Sequence, residues 1–285
     1  MKKDSFSKCI IINSTVYFVM AYLFVVFSYN LFAIWISTTW FGFDAKLFFH
    51  GFKMTGAAWN RDNMVIIFFF GNSITLLIGF IFDWLYRRQR KYKRGIKLFF
   101  MWTYIIAYSW FLGNIMVGAL FNFGIGTALL AFRVPFFLRV ALSLLSILTL
   151  FFIGHRAQKG IKVSANLYYK RLAKGAINGF LLNQTVYPAL IGIAILVLYK
   201  IPNIDQYKYM DWLVLSSVVF YILGLFIKQK NRNSIIFKNR SVKGDDDDND
   251  YHHKNKQCKI QIFAVIAFFI ILLGMRFGLD PGITF

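Results

Sequence analysis

Glutamate does not occur in this sequence; all twelve acidic residues are aspartate. That absence excludes every chemistry that needs a glutamate, the His-Glu-x-x-His metalloprotease helix foremost. Cysteine and histidine are almost as scarce. Cys9 and Cys258 stand in no metal-ligand spacing, and both fall on the side of a membrane expected to be reducing, so they are expected as free thiols. Of the four histidines, His50 is expected across the membrane from His155, His252 and His253, so no metal site is expected. The sequence holds no glycine-rich phosphate loop, no catalytic triad, no Cys-x-x-Cys and no paired intramembrane carboxylates. The balance leans away from an enzyme, and neither a catalytic residue nor a cofactor is expected.

Apolar and basic residues are what the chain has in quantity. Of 285 residues, 58% are hydrophobic and 20% aromatic, with a mean hydropathy of +0.55. A soluble domain of this length could not enclose so much apolar surface, so lipid is the expected solvent for most of it. The net charge of +21 comes from 33 basic against 12 acidic residues. In a soluble protein that excess would suggest nucleic acid. Here the basic residues fall between apolar runs, where membrane topology and anionic headgroups account for them and no nucleic-acid partner is expected.

The chain is organised around residues 63–121. Two apolar runs, 63–86 and 97–121, are each long enough for a bilayer crossing, which takes about 20 residues. The turn between them carries Arg87, Arg88, Arg90, Lys91, Lys93, Arg94 and Lys97 without an acid. Such a turn is retained on the cytoplasmic side and sets the direction of the other spans. Further apolar runs lie near 10–37, 135–154, 176–199, 211–227 and 260–277. The expected fold is all-α: a polytopic bundle of about seven transmembrane helices, N-terminus inside and C-terminus outside. The whole chain, 1–285, reads as one membrane domain in a bacterial inner (plasma) membrane or, alternatively, an organellar inner membrane. Residues 38–62 are too polar to span and read as an interfacial or re-entrant amphipathic segment. The polar loop 228–259 carries the acidic run 245–250 and reads as a flexible cytoplasmic insertion. Gly124 and Gly126 mark a turn, and Pro135 suits the start of a helix.

A few polar residues interrupt the spans. Counted from the span ends, Asn30, Asn72 and Asn114 share a depth in the outer half of the bilayer, and each needs a partner there. Gly71 and Gly113 would let the backbones approach closely enough for Asn72 and Asn114 to meet. Two readings stand: helix-packing hydrogen bonds, worth about 0.6 kcal/mol each on average, or a substrate-binding pocket open to the outside that includes Arg139. An intramembrane arginine marks function unless it snorkels to the headgroups. Asn183, Gln184 and Pro188 define a possible second site, where the proline frees a backbone carbonyl; a simple kink is the competing reading. Asp83 is followed by arginines able to pair with it.

Two resemblances are present. His50–Met54 with Ala57, Ala58 and Trp59, together with Gly274–Gly278, is similar to the membrane portion of lipoteichoic-acid-synthase-type phosphoglycerol transferases, whose extracellular catalytic domain is missing here. Residues 72–154 are similar in texture to site-2-type membrane metalloproteases, without their zinc motif. Neither resemblance assigns a role to a residue. Three functions are therefore expected in order. First is a non-catalytic subunit or accessory protein, meeting a membrane-protein partner through its aromatic lipid-facing surface. Next come a small-solute or lipid transporter or binding protein, and a membrane domain related to an enzyme but lacking its catalytic part.

Overall fold

The structure, a computed structural model, describes residues 3–56, 59–92, 94–169, 171–172, 174–201, 208–227, 235–236 and 258–285. Helices stand at all seven expected places. Five are long and apolar enough to cross a membrane: Phe6–Phe41, Arg61–Gln89, Ile96–Phe121, Phe136–Leu167 and Ile177–Lys200. Two apolar helices are shorter, Met210–Leu225 and Ile262–Gly278.

Local sequence explains where these elements begin and end. Helix α1 (Lys3–Phe41) stops where the Gly42 and Phe43 amides turn back to the carbonyls of Thr38 and Ser37, at 3.0 and 3.1 Å. Helix α2 (Arg61–Gln89) starts at a reciprocal capping box. Asn60 and Asn63 each accept the other's backbone N–H at 2.9 Å. Near its other end Arg87 grips Asp83 with two hydrogen bonds, at 3.0 and 2.6 Å, as their spacing of four predicts. Helix α3 (Ile96–Phe121) is the buried centre, with every residue from Met101 to Trp110 enclosed. A short α4 (Ile125–Ala131) follows, and α5 (Phe136–Ser164) begins directly after Pro135.

The fifth of these long helices is broken. Helix α6 (Ile177–Leu181) passes into a π turn, Leu182–Val186, before α7 (Tyr187–Lys200) resumes. Pro188 supplies the cause: it has no N–H for the Gln184 carbonyl, and its ring crowds that oxygen. The freed carbonyl accepts instead from Ser14 Oγ of α1 at 2.7 Å. Helices α8 (Lys208–Ser216) and α9 (Val218–Leu225) run on either side of Ser217, and α10 (Ile262–Gly278) completes the bundle.

Residues 38–62 do not form the expected amphipathic helix. They hold a β-hairpin, β1 (Asp44–Phe48) and β2 (Gly51–Thr55), in register from Asp44 opposite Thr55 to Phe48 opposite Gly51. Its alternation is that of a strand: Ala45 and Leu47 are buried while Asp44 and Lys46 are exposed. A two-stranded pair, β3 (Arg171–Leu172) with β4 (Ile235–Ile236), joins two distant connections. The C-terminal β5 (Ile283–Thr284) adds to the other edge of β1, pairing with Lys46 and Leu47. Paired strands satisfy their own backbone groups, which an isolated extended segment beside lipid could not do. The C-terminus therefore lies at the end of the bundle where α1 finishes.

The opposite end gathers the basic connections. Lys97 donates to Asn166 and, at 3.0 Å, to the Tyr92 carbonyl. Asn166 in turn donates to the Lys91 carbonyl at 2.9 Å, and Phe6 meets Tyr169 edge-on at 5.2 Å. Here the expectation of free thiols is corrected: Cys9 and Cys258 form a disulfide, their Cα atoms 6.1 Å apart. A reducing compartment favours thiols, but proximity favours the bridge, and it is set by Asn13, one turn beyond Cys9. Asn13 donates to the Lys259 carbonyl at 3.1 Å and accepts from the Gln261 amide at 2.9 Å, drawing Cys258 alongside α1. Maleimide is expected to label neither cysteine before reduction of the purified protein and both afterwards, read by intact-mass measurement. Labelling without reductant would show the bridge absent. Of the polar loop 228–259, only Ile235–Ile236 and residues 258–259 are described; the acidic run 245–250, His252 and His253 lie outside the described residues.

Candidate functional site

A cavity of about 1000 Å³ opens beneath the hairpin. Helix α1 contributes Tyr29 and Asn30, α3 contributes Trp110 and Asn114, and α8 contributes Asp211. The hairpin supplies Phe48 and His50 through Met54, and Trp59 and Phe68 close the side toward α2. Aromatic faces dominate its wall, with a few polar groups set among them, the usual composition of a small-molecule site.

Asn30 is the most informative of those groups. It is 6% exposed, yet its carboxamide makes no hydrogen bond among the described residues. With no protein partner among them, its amide is left to the contents of the cavity it lines. Trp110 adds a second unsatisfied donor, its Nε1 being buried without a partner among the described residues. Asn114 donates to the Trp110 carbonyl one turn back at 2.9 Å, which leaves Oδ1 to serve the cavity. Gly124 keeps that oxygen accessible: its φ of 51° suits glycine, and a Cβ there would stand 3.3 Å from it.

The floor carries an ion pair. Lys200 Nζ lies 3.4 Å from Asp211 Oδ2, with side-chain exposures of 3% and 24%. The ammonium also sits over the rings of Trp212 and Tyr22, at 5.1 and 5.8 Å. Such a pair presents a partly solvated carboxylate to the cavity while hiding its counter-charge. The hairpin is anchored over this floor by Arg276. Its guanidinium stacks on Phe49 at 4.3 Å and donates to the carbonyls of Tyr199 and, at 2.8 Å, Ile201. It thereby caps α7 and ties the end of α10 to the roof.

Of the polar residues singled out in the sequence, the structure brings Asn30 and Asn114 to this cavity and leaves Asn72 and Arg139 outside its lining. Asn72 donates to the Phe111 carbonyl at 3.2 Å, so it binds α3 without meeting Asn114. The glycines beside them face elsewhere, because neighbours on a helix point about 100° apart. A Cβ on Gly71 would meet Ala33 at 3.4 Å, and one on Gly113 would meet Ser217. Arg139 donates to Asn122 and lies 5.5 Å from the Phe136 ring. At the π turn, Ser14 Oγ receives hydrogen bonds from Trp102 Nε1 at 2.8 Å and Gln184 Nε2 at 3.3 Å, lacing α1 and α3 to the broken helix.

Asp211, Lys200, Tyr29 and Trp110 were not anticipated. Asp211 is visible in the sequence as the acid opening the apolar run 211–227, but nothing local to it signals that it borders a cavity. Among the described residues no group of three or more His, Cys, Asp or Glu is arranged to hold a metal. No family model, curated protein or solved structure matches the chain.

Proposed function

We propose that this chain is a multi-span membrane protein that binds, and in its membrane transports, a small polar solute or the polar part of a lipid in the cavity under the hairpin. The observation that carries the reading is Asn30, a 6% exposed residue whose side chain has no hydrogen bond among the described residues, in the wall of a cavity of about 1000 Å³. Aromatic faces would cover the ligand's apolar surface. Asn30, Asn114 and Trp110 would meet its polar groups, and Asp211 would orient a donor.

The accompanying topology is seven crossings with the N-terminus inside, in a bacterial inner membrane. Support comes from the grouping of the basic connections at the end where α1 begins, and of the C-terminal strand at the end where it finishes. An odd number of crossings puts the two termini on opposite sides, and lysine and arginine favour the inside. On this topology the cavity faces outward.

A second reading, the accessory subunit, draws on α10. Phe268 is its one buried residue, while Phe263 and Phe277 are 90% and 75% exposed. Native mass spectrometry of protein extracted from its own membrane in mild detergent separates the two. A bound small-molecule mass is expected, lost in Asn30→Leu and kept in Arg139→Leu. Because Asn30 gives up no hydrogen bond among the described residues, the leucine variant is also expected to fold, with stability within about 1 kcal/mol of the parent protein. A stoichiometric protein partner without any small ligand would favour the subunit; ligand retention by Asn30→Leu would remove the cavity as the site.

A further inference from the structure

The second large cavity lies at the other end of the bundle and shares no lining residue with the first. It occupies about 710 Å³ between α2, α3 and α5. Its mouth is basic: Arg87 and Arg90 come from the end of α2, Arg156 and Lys159 from α5. Asp83 is the one carboxylate lining it, and Arg87 already holds both its oxygens, at 3.0 and 2.6 Å. Arg90, Arg156 and Lys159 have no ion pair among the described residues. Three cations thus stand together at a cavity mouth without counter-charge.

Deeper in, the wall changes character. Phe80 lies ten residues before Arg90 on α2, about 15 Å along the helix at 1.5 Å per residue. With Phe111, Leu112 and Phe152 it forms an apolar channel. Phe80 and Phe152 are 59% and 64% exposed, so the channel is open sideways, toward where acyl chains would run. Tyr86 braces the basic end by donating to the Gly160 carbonyl of α5 at 2.9 Å. That bond holds the two helices, and so their cations, at a fixed spacing.

We infer that this cleft is a binding site for an anionic phospholipid, its phosphate among Arg90, Arg156 and Lys159 and its acyl chains along Phe80, Phe111, Leu112 and Phe152. Charge complementarity chooses the occupant. A soluble phosphate compound would satisfy the mouth and leave the apolar channel unmatched. A zwitterionic lipid would fill the channel but bring a positive group to a positive mouth. A basic pocket between transmembrane helices that opens into lipid suits a headgroup of net negative charge, and arginine suits the forked geometry of phosphate oxygens. The site depends on the helices lying in a bilayer and on nothing in the solute-binding reading.

Detergent-solubilised protein titrated with cardiolipin, phosphatidylcholine or glycerol phosphate, and followed by native mass spectrometry and thermal unfolding, tests it. Cardiolipin is expected to bind saturably and at least about tenfold more tightly than phosphatidylcholine, with glycerol phosphate failing to displace it. Arg156→Gln/Lys159→Gln, both at exposed positions, should abolish that preference. Arg88→Gln/Arg94→Gln removes two charges from the same end but outside the cleft, beside Trp84 and Tyr92, and should keep it. Equal loss in the two double variants would mean diffuse surface charge and overturn the site, as would equal affinity for the two lipids or displacement by glycerol phosphate. Loss of ligand in Asn30→Leu would leave this result unmoved, so the two proposals fail separately.

Discussion

Asp211→Asn is expected to destabilise the protein more than Lys200→Met, although both break the same ion pair. The asymmetry follows from where each charge sits. Lys200 has 3% of its side chain exposed, whereas Asp211 has 24% and borders the cavity. Removing one partner of a buried pair costs roughly 3–5 kcal/mol, because the other charge is left without compensation. With asparagine at 211 the ammonium stays buried. The Trp212 and Tyr22 rings, at 5.1 and 5.8 Å, return only part of the loss, on the order of 2 kcal/mol. With methionine at 200 the carboxylate can still be hydrated from the cavity, and a loss nearer 1–2 kcal/mol is expected. Thermal or denaturant unfolding in one detergent, with the double variant completing the cycle, measures the difference. The double variant should recover most of the stability lost in Asp211→Asn. Lys200→Met proving the more damaging would show that the carboxylate, not the ammonium, is the isolated charge.

A comparable loss is expected from a single methyl group where α5 crosses α9. A Cβ on Gly154 would lie 2.0 Å from the Tyr221 carbonyl oxygen, and one on Gly224 would lie 2.1 Å from that of Phe151. Both obstacles are backbone atoms, which cannot swing aside as a side chain can. Small residues at such crossings let helix backbones touch, and in lipid that close packing is a main source of association energy. Gly154→Ala therefore has to push the helices apart. The cost expected is about 3 kcal/mol, at the upper end for overpacking. Gly274→Ala on α10 is the matched control, since no atom lies within 4 Å of its Cβ position. There alanine should be neutral or stabilising by up to about 1 kcal/mol through helix propensity alone. Thermal melts of the two variants decide the matter: equal behaviour would mean that α5 and α9 do not pack through these glycines.

Residues 38–62 show how a local pattern can be present and still be misread. The in-out alternation from Asp44 to Phe48 is written in the sequence, but bulky aromatics mixed with lysine also suit a helix lying in the headgroups. Two facts favour the strand: a two-residue connection, Phe49–His50, and a third strand supplied by Ile283–Thr284 from the far end of the chain. The second carries no signal near residue 44. The candidate site divides in the same way. Equal depth could be counted for Asn30, Asn72 and Asn114, because rise per residue is constant. Facing could not, since it depends on how each helix is rotated against its neighbours, and that rotation sent Asn72 to a carbonyl of α3.

What the sequence alone determined is whatever a few consecutive turns decide. That includes the long apolar helices, the capping box at Asn60, the Asp83–Arg87 pair, the break at Pro188 and the basic character of the turn after α2. Tertiary structure decided the rest: the hairpin roof, the Cys9–Cys258 bridge, the placing of Asn30 and Asp211 around one cavity, and the cleft that collects Arg90 with Arg156 and Lys159. Hydropathy, charge spacing and proline geometry act over neighbours along one chain segment. Cavities and cross-links arise only when the rotation and separation of whole helices bring residues of distant segments within a few ångströms.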